Sequence, residues 1–499
     1  MENNILDNKI NKIYELLGNN SQIVSKKIYI GTGQSLDSAI IYVNGLADKD
    51  RIDRDILKPL MIYLQEDISN KESLEDYICK KYIYMSNTFV TSKIDEVVEY
   101  LKRGKTVVII NNNTSNYIIV DTTGGVHRHV EDSENEAAIK GPRESFVENL
   151  EINISIIRRR IKDKNLKIES AVVGRRSQTD VAIIYIDDIV DKSLLNYTKE
   201  RINMVDVDFI SSSEMLLQYI EEHTYSIFPQ IYSTERPDTV EATVLGGRVA
   251  IIVDGSPQVI TIPTVFIEFF QTVGDYYERF IVSSFTRFLR VASIFTIITL
   301  PSLYLSFIKF NVELIPLKFI VPIINSRIGI ALSPFFEIFL MEIAIEVLRE
   351  GGLRLPTKVA QTLSVVGGII LGQMAVEAKL VSPDTLLVVG ISVISTFLIP
   401  HYEMALTIRI LKFPLLIITN YLGILGIILF WFVIMVHLLD LDSFGIPYIS
   451  VSKSDLKDEF IRAPLWKMNK RPANVGSNNS IRQTDFREKF RRNKLGKKK

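Results

Sequence analysis

The sequence predicts an α/β cytosolic region of two similar modules, then an α-helical multi-pass membrane domain, then a basic C-terminal tail. Three observations predict that order. A segment of the first half recurs at a fixed offset, the mark of a duplicated structural unit. Long apolar runs crowd the second half, as bilayer-spanning helices require. Charge is also partitioned: Lys and Arg number 32 against 43 Asp and Glu before Arg287, 11 against 10 from there to Ser450, and 15 against 5 beyond it.

Residues 1–24 read as an N-terminal leader helix or extension. The stretch MENNILDNKINKIYELLGNN has neither the basic start nor the continuous apolar run of a signal peptide, so the soluble region is expected in the cytosol. Residues 25–135 form the first α/β module and 136–286 the second. Gly31 to Lys49 aligns without gaps with Gly174 to Lys192, sharing Gly, Asp, Ala, Ile, Ile, Tyr, Asp and Lys 143 positions apart. The same offset pairs Gly104-Lys105 and VVIIN with Gly247-Arg248 and AIIVD. Each copy is expected to hold a strand running into a turn (IIYVNG, IIYIDD), a helix (Arg51 to Leu64; Leu194 to Val205) and a closing hairpin. The hairpin loops, NNNTSN and DGSPQ, separate β-branched runs.

Nothing local in these modules points to catalysis, a cofactor or a metal. Gly31-Thr32-Gly33 lacks the later glycine and the Lys-Ser/Thr pair of a phosphate loop, and reads as a turn. His127 and His129 stand near Glu131 and Asp132 with no third ligand beside them, and read as loop residues. Cys79, the single cysteine, excludes an intrachain disulfide and reads as a small core residue. Arg158 to Arg160 close a helix and read as a solvated end near the dipole's negative pole, so no nucleic-acid partner is inferred.

Residues 287–450 are the membrane domain, with about four spans plus short or re-entrant helices. Val291 to Ile308 carries no charge, follows Arg287 and Arg290, and tolerates Pro301 as a kink. Leu411 to Leu439, with Lys412 as its one Lys or Arg, is the strongest span, and Trp431 is its expected interfacial anchor. Thr362 to Val376 and Thr385 to Ile399 are shorter, and either could be re-entrant. The cations of the tail, 451–499, should hold it in the cytosol, so both termini face inward and the crossings are even in number.

One helix breaks the apolar rule. Glu342, Glu346 and Glu350 recur every four residues, with Arg349 one heptad from Glu342, and together make a polar membrane face; Glu337 lies off it. That face must meet water, another protein surface or its own Arg, on either an interfacial or an inserted helix. Ser364, Gly368 and Gly372 form a small-residue ladder for close helix packing. The opposite stripe, Thr362, Val366, Ile369, Gln373 and Val376, is a candidate pore lining with an apolar gate, and ordinary helix packing accounts for it equally.

Longer motifs now combine. They are GPRESF (Gly141 to Phe146) leading into Asn153 and Arg158-Arg159-Arg160, FPQIYSTERPDTV (Phe228 to Val240) and GRVAIIVDGSP (Gly247 to Pro257). DYYERF (Asp275 to Phe280), LREGGLRLP (Leu348 to Pro356), GQMAVEA (Gly372 to Ala378), SFGIPY (Ser443 to Tyr448) and KDEFIRAPLWKMNKRP (Lys457 to Pro472) follow in order. Together they resemble the GerA family, the A subunits of bacterial spore germination receptors. The last motif favours this branch over the related stage V sporulation protein AF group. Gly351-Gly352 departs from the Glu-Ala or Ala-Gly common in similar proteins.

The resemblance implies a nutrient germinant receptor component in the spore inner membrane. Its implied partners are a transporter-like B subunit, thought to bind the nutrient, and a lipoprotein C subunit. It also implies a homo-oligomer forming an ion-conducting path. The alternative is a non-conducting assembly subunit that organises receptor complexes, suggested by the acidic soluble region and the basic tail. That tail would equally suit anionic membrane lipid.

Overall fold

Successive side chains of a pleated strand point to opposite faces, and this alternation sorts the first module into two cores. The computed structural model describes residues 3–18, 23–31, 35–66, 68, 73–112, 114–123, 136, 140–356, 359, 368, 372–450, 456–459, 461–484 and 486–487. Strands β1 (Ile23–Ile30), β2 (Leu36–Val43), β3 (Thr88–Thr91), β4 (Thr106–Ile110) and β5 (Tyr117–Val120) form an antiparallel sheet in the order β1-β2-β4-β5-β3. Its helices are α1 (Asn3–Leu16), α2 (Leu74–Lys81) and α3 (Ile94–Lys102), with a further helical segment over residues 49–63. Ala39, Ile41, Val107, Ile109 and Ile119 bury against α1 and α3 through Leu6, Ile10, Ile13, Val97 and Leu101. Their neighbours Ile40, Val108, Ile110 and Ile118 bury on the other side against Ile52, Ile56, Leu60 and Ile78. Strands covered on both faces need no polar side, which explains the unbroken runs VVII and YIIV. Helix α1 is therefore part of this core; the expected separate extension over 1–24 belongs to the module.

The second module repeats the first. Strands β6 (Leu166–Val173), β7 (Thr179–Ile186), β8 (Tyr232–Thr234), β9 (Val249–Val253) and β10 (Val259–Ile262) take the order β6-β7-β9-β10-β8. The pairing Ser38↔Ile110 recurs as Val181↔Val253, and Ile23↔Val43 as Leu166↔Ile186, each 143 residues on. Turn geometry is copied as well. Gly31 and Gly174 end β1 and β6 at φ of 88° and 94°, where a Cβ is disfavoured. The second hairpin loop is one residue shorter, so β10 follows β5 by 142. Helix α4 (Leu150–Arg160) occupies the place of α1, and α5 (Lys192–Met204), α6 (Ser213–Ile220) and α7 (Pro237–Leu245) complete the module. The three arginines that close α4 are solvated only in part, Arg159 alone being exposed. Arg158 is buried, Arg159 pairs with Glu144, and Arg160 lies 2.9 Å from Glu144 and 3.3 Å from Glu241.

The chain divides into two compact units, Met1–Glu221 with Ile231–Pro263 and Asn469–Lys499, and Glu222–Gln230 with Thr264–Met468. The expected borders at 286 and 450 move accordingly. Residues 264–286 and 456–468 go with the helices. Part of the expected tail returns to the α/β unit, where Asn478 Nδ2 donates to Val190 O at 2.7 Å and Arg471 Nε to Leu245 O at 2.8 Å.

The second unit contains α8 (Phe280–Lys309), α9 (Leu317–Ser326), α10 (Pro334–Leu353), α11 (Pro383–Thr396), α12 (Tyr402–Leu422) and α13 (Ile424–Asp440). Among the described residues, two helices, α8 and α12, are long and apolar enough to cross a membrane. The expected single span Leu411 to Leu439 is broken at Gly423, whose φ of 59° and ψ of −139° suit glycine. It is a helical hairpin. Lys309 Nζ reaches Asn420 Oδ1 at 2.6 Å, so α8 and α12 end side by side and run in one direction. Trp431, expected as an interfacial anchor, instead donates its indole N–H to Thr299 Oγ1 at 2.9 Å within the unit.

Candidate functional site

The acidic face of α10 meets basic residues of α12. Positions four apart on one helix and three apart on the other share facing sides, so Glu342 and Glu346 oppose Lys412 and Arg409. Glu342 is fully buried and Lys412 is 1% exposed. The Lys412 ammonium donates to Glu342 Oε2 and, at 3.2 Å, to Glu346 Oε1. Glu346 Oε2 lies 3.6 Å from Arg409 Nη1, and Arg349 Nη1 lies 3.7 Å from Glu346 Oε1. Arg349 also donates to Thr396 Oγ1 at 3.2 Å. Burying ions is costly unless they are paired, and this cluster pairs them across two helices. Three of the four residues of the predicted polar face therefore gather. The fourth, Glu350, pairs with Arg354 at 2.9 Å on the exposed end of α10. The sequence reading missed Lys412 and Arg409 as partners. A lone Lys in a long apolar run is itself the signal, because a membrane helix keeps such a charge only where it is paired or wet.

Glu337, off that face, finds its own partners. Fully buried, it accepts from Arg327 Nη2 at 2.7 Å, from Ser382 N at 3.1 Å and from Thr385 Oγ1 at 3.1 Å.

A second charged group joins two motifs that lie far apart in sequence. Asp275 Oδ2 accepts from Arg287 Nε at 3.0 Å and Arg290 Nη1 at 2.7 Å. Arg287 Nη1 also lies 3.0 Å from Asp458 Oδ1, and Tyr276 donates to Asp458 Oδ2 at 2.7 Å. Arg462 completes the group by donating to Glu278 O at 2.7 Å and Tyr276 O at 3.2 Å. Burial pushes the Asp275 carboxyl up, but the hydrogen bond and charge of Arg290, with the charge of Arg287, outweigh it and hold the group below the usual range. Burial, with Asp458 beside it, raises the Tyr276 phenol. DYYERF and KDEFIRAP thus make one structure.

Of the candidate pore stripe, Thr362, Val366 and Ile369 lie outside the described residues, as does Ser364 of the ladder and as do His127 and His129. Gln373 is exposed and Val376 half-buried on the helical stretch 372–377. Gly372 is buried, and a Cβ there would stand 3.5 Å from Leu386; at Gly368 it would meet nothing within 4 Å. Among the described residues no group of three His, Cys, Asp or Glu is placed to hold a metal.

Residues 11–474 match the family model described as Bacillus/Clostridium GerA spore germination protein. Spore germination protein KA of Bacillus subtilis (strain 168) is 36% identical over 94% of this chain and 86% of its own length. The membrane protein YfkQ of the same organism, itself uncharacterized, is 34% identical over 92% of this chain and 89% of its own. Among solved structures, the N-terminal domain of the A subunit of the Bacillus megaterium spore germinant receptor GerK3 matches 53% of this chain and 96% of that domain, at 28% identity and a TM-score of 0.40. A family match running from residue 11 to 474, with relatives of this identity along nearly the whole length, places the chain in the GerA spore germination protein family.

Proposed function

We propose that the chain is the A subunit of a nutrient germinant receptor in the spore inner membrane, and that it turns nutrient binding into germination as part of an oligomeric ligand-gated ion channel. Its partners in this reading are a transporter-like B subunit, a lipoprotein C subunit and further copies of itself. Family membership supports the germination role. The observation that carries the channel part is the Glu342–Glu346–Lys412 cluster, since charges buried between apolar helices mark ion pathways and their gates. The crossings are α8, α10, α12 and α13. Helices α8 and α12 run one way and the other two run back, which keeps both ends of the unit on one side. The acidic face is then inserted in the membrane rather than lying at its surface. Gln373 and Val376, with Thr362, Val366 and Ile369, remain the proposed pore stripe.

Reconstitution of the full chain with its B and C partners in liposomes tests this. Nutrient addition should release monovalent cations, Glu342→Gln and Lys412→Gln should change the rate, and cysteines at Gln373 and Val376 should make release sensitive to thiol reagents. If nutrient never triggers cation release, the channel reading fails. The partition of charge supports a second reading, a non-conducting assembly subunit. Truncation after Arg487 keeps Asp458 and Arg471 in their contacts and removes the last run of cations. Clusters lost with conductance intact would favour assembly.

A further inference from the structure

An open groove of 730 Å³ runs between α10 and α12, within the range of about 300–1,000 Å³ typical of small-molecule sites. Ile343, Val347, Ile410 and Phe413 make its walls, and Val347 and Ile410 are 66% and 55% exposed. Arg409 lies in it beside Glu346. The Arg409 Nε is buried and has no hydrogen-bond partner, and its link to Glu346 is 3.6 Å long. Charge around it is unbalanced. Among the described residues, Arg349, Arg409 and Lys412 face Glu342 and Glu346, three cations to two anions. The groove is also graded along its length. Arg354 and Glu350 close the end at the helix termini, Glu346 and Arg409 follow about 12 Å deeper along α10, and the lining is apolar for about one further turn, to Ile343 and Phe413. A polar end, a cation short of an anion and an apolar channel are the profile of a lipid with a phosphate head and acyl tails.

We propose that this groove binds one anionic phospholipid, its phosphate on Arg409 between the Val347 and Ile410 walls and its acyl chain leaving past Ile343 and Phe413. The site lies in the leaflet at which α8 begins, because α12 runs with α8 and Arg409 is in its first half. The inference rests on α10 and α12 crossing the bilayer, and is independent of conduction.

The test uses the full chain in neutral detergent, titrated with phosphatidylglycerol, with phosphatidylcholine of the same chains, and with inorganic phosphate. Retained lipid is counted by native mass spectrometry. One phosphatidylglycerol should be kept, with about fivefold preference over phosphatidylcholine. Arg409→Gln should erase the preference, and Val347→Trp, which fills the wall and leaves the charges alone, should reduce retention of both lipids. If Arg409→Gln does not fold, Val347→Trp decides. Equal retention of the two lipids, or retention of neither, overturns the site and leaves the membrane reading standing. Displacement by inorganic phosphate, or a dimer that Val347→Trp dissociates, would assign the groove to a free anion or a second copy and sink the proposal.

Discussion

Replacing Lys412 by Met takes the cation from Glu342 while keeping an unbranched side chain of similar length. Glu342 is fully buried, its Oε1 has no hydrogen-bond partner, and its Oε2 is held by Lys412. Glu346 keeps Arg349 at 3.7 Å and Arg409 at 3.6 Å, so the loss falls on one carboxylate. Stranding one member of a buried pair costs about 3–5 kcal/mol, so the expected loss is about 3 kcal/mol or more. The double variant Glu342→Met/Lys412→Met removes the stranded charge too and should cost about 1 kcal/mol, a coupling of roughly 2 kcal/mol or more. Unfolding of the detergent-solubilised chain by added SDS, read by Trp431 fluorescence in a Trp466→Phe background, gives each value. The indole bonds α13 to α8 and so reports on the unit that holds the pair. A Lys412→Met protein within about 1 kcal/mol of wild type, or a double variant as unstable as the single one, would refute the buried pair.

Asp275→Asn leaves Arg287 and Arg290 without their shared anion and should lower stability by about 3 kcal/mol. Because the folded carboxyl sits below its unfolded value, its contribution is complete above that unfolded value and lost as pH falls through the folded one. The variant's melting midpoint should lack this acid limb. Gly423→Ala forces a Cβ to within 3.2 Å of the Phe310 ring at a φ of 59°, and should cost about 2 kcal/mol in the same SDS titration. Cys79 is pushed up to about 12, chiefly by burial and then by Asp76 and Glu75. Alkylation at pH 8, followed by mass spectrometry, should be on the order of 10³ slower in the native chain than in the unfolded one; comparable rates would contradict that environment.

The duplication was legible because it is written in positions that backbone geometry constrains. Gly31 and Gly174 need a positive φ, and Ala39 and Ala182 pair at the same register with Ile109 and Ile252. Helix α1 escaped because a helix packs by its apolar stripe, which many sequences satisfy without identity to α4. Three consecutive arginines cannot share one helical face, since each turns about 100° from the last, so Arg158 to Arg160 had to point in different directions. The break at Gly423 left no mark in hydropathy, because glycine is common in membrane helices. Glu350 has the right rotation for the acidic face but lies about 12 Å along the helix from Glu342, past the reach of Lys412. Neither DYYERF nor KDEFIRAP carries any local sign that the other completes it.

That junction has a mechanical consequence. Arg287 grips Asp275 ahead of α8 and Asp458 beyond α13, and Tyr276 and Arg462 tie the same two segments, so the described helices between them form a loop closed at its base. A bundle tied in this way does not open by splaying its first and last segments apart. A cut in the connection after Lys309 would leave two pieces still joined through the Arg287–Asp458 pair.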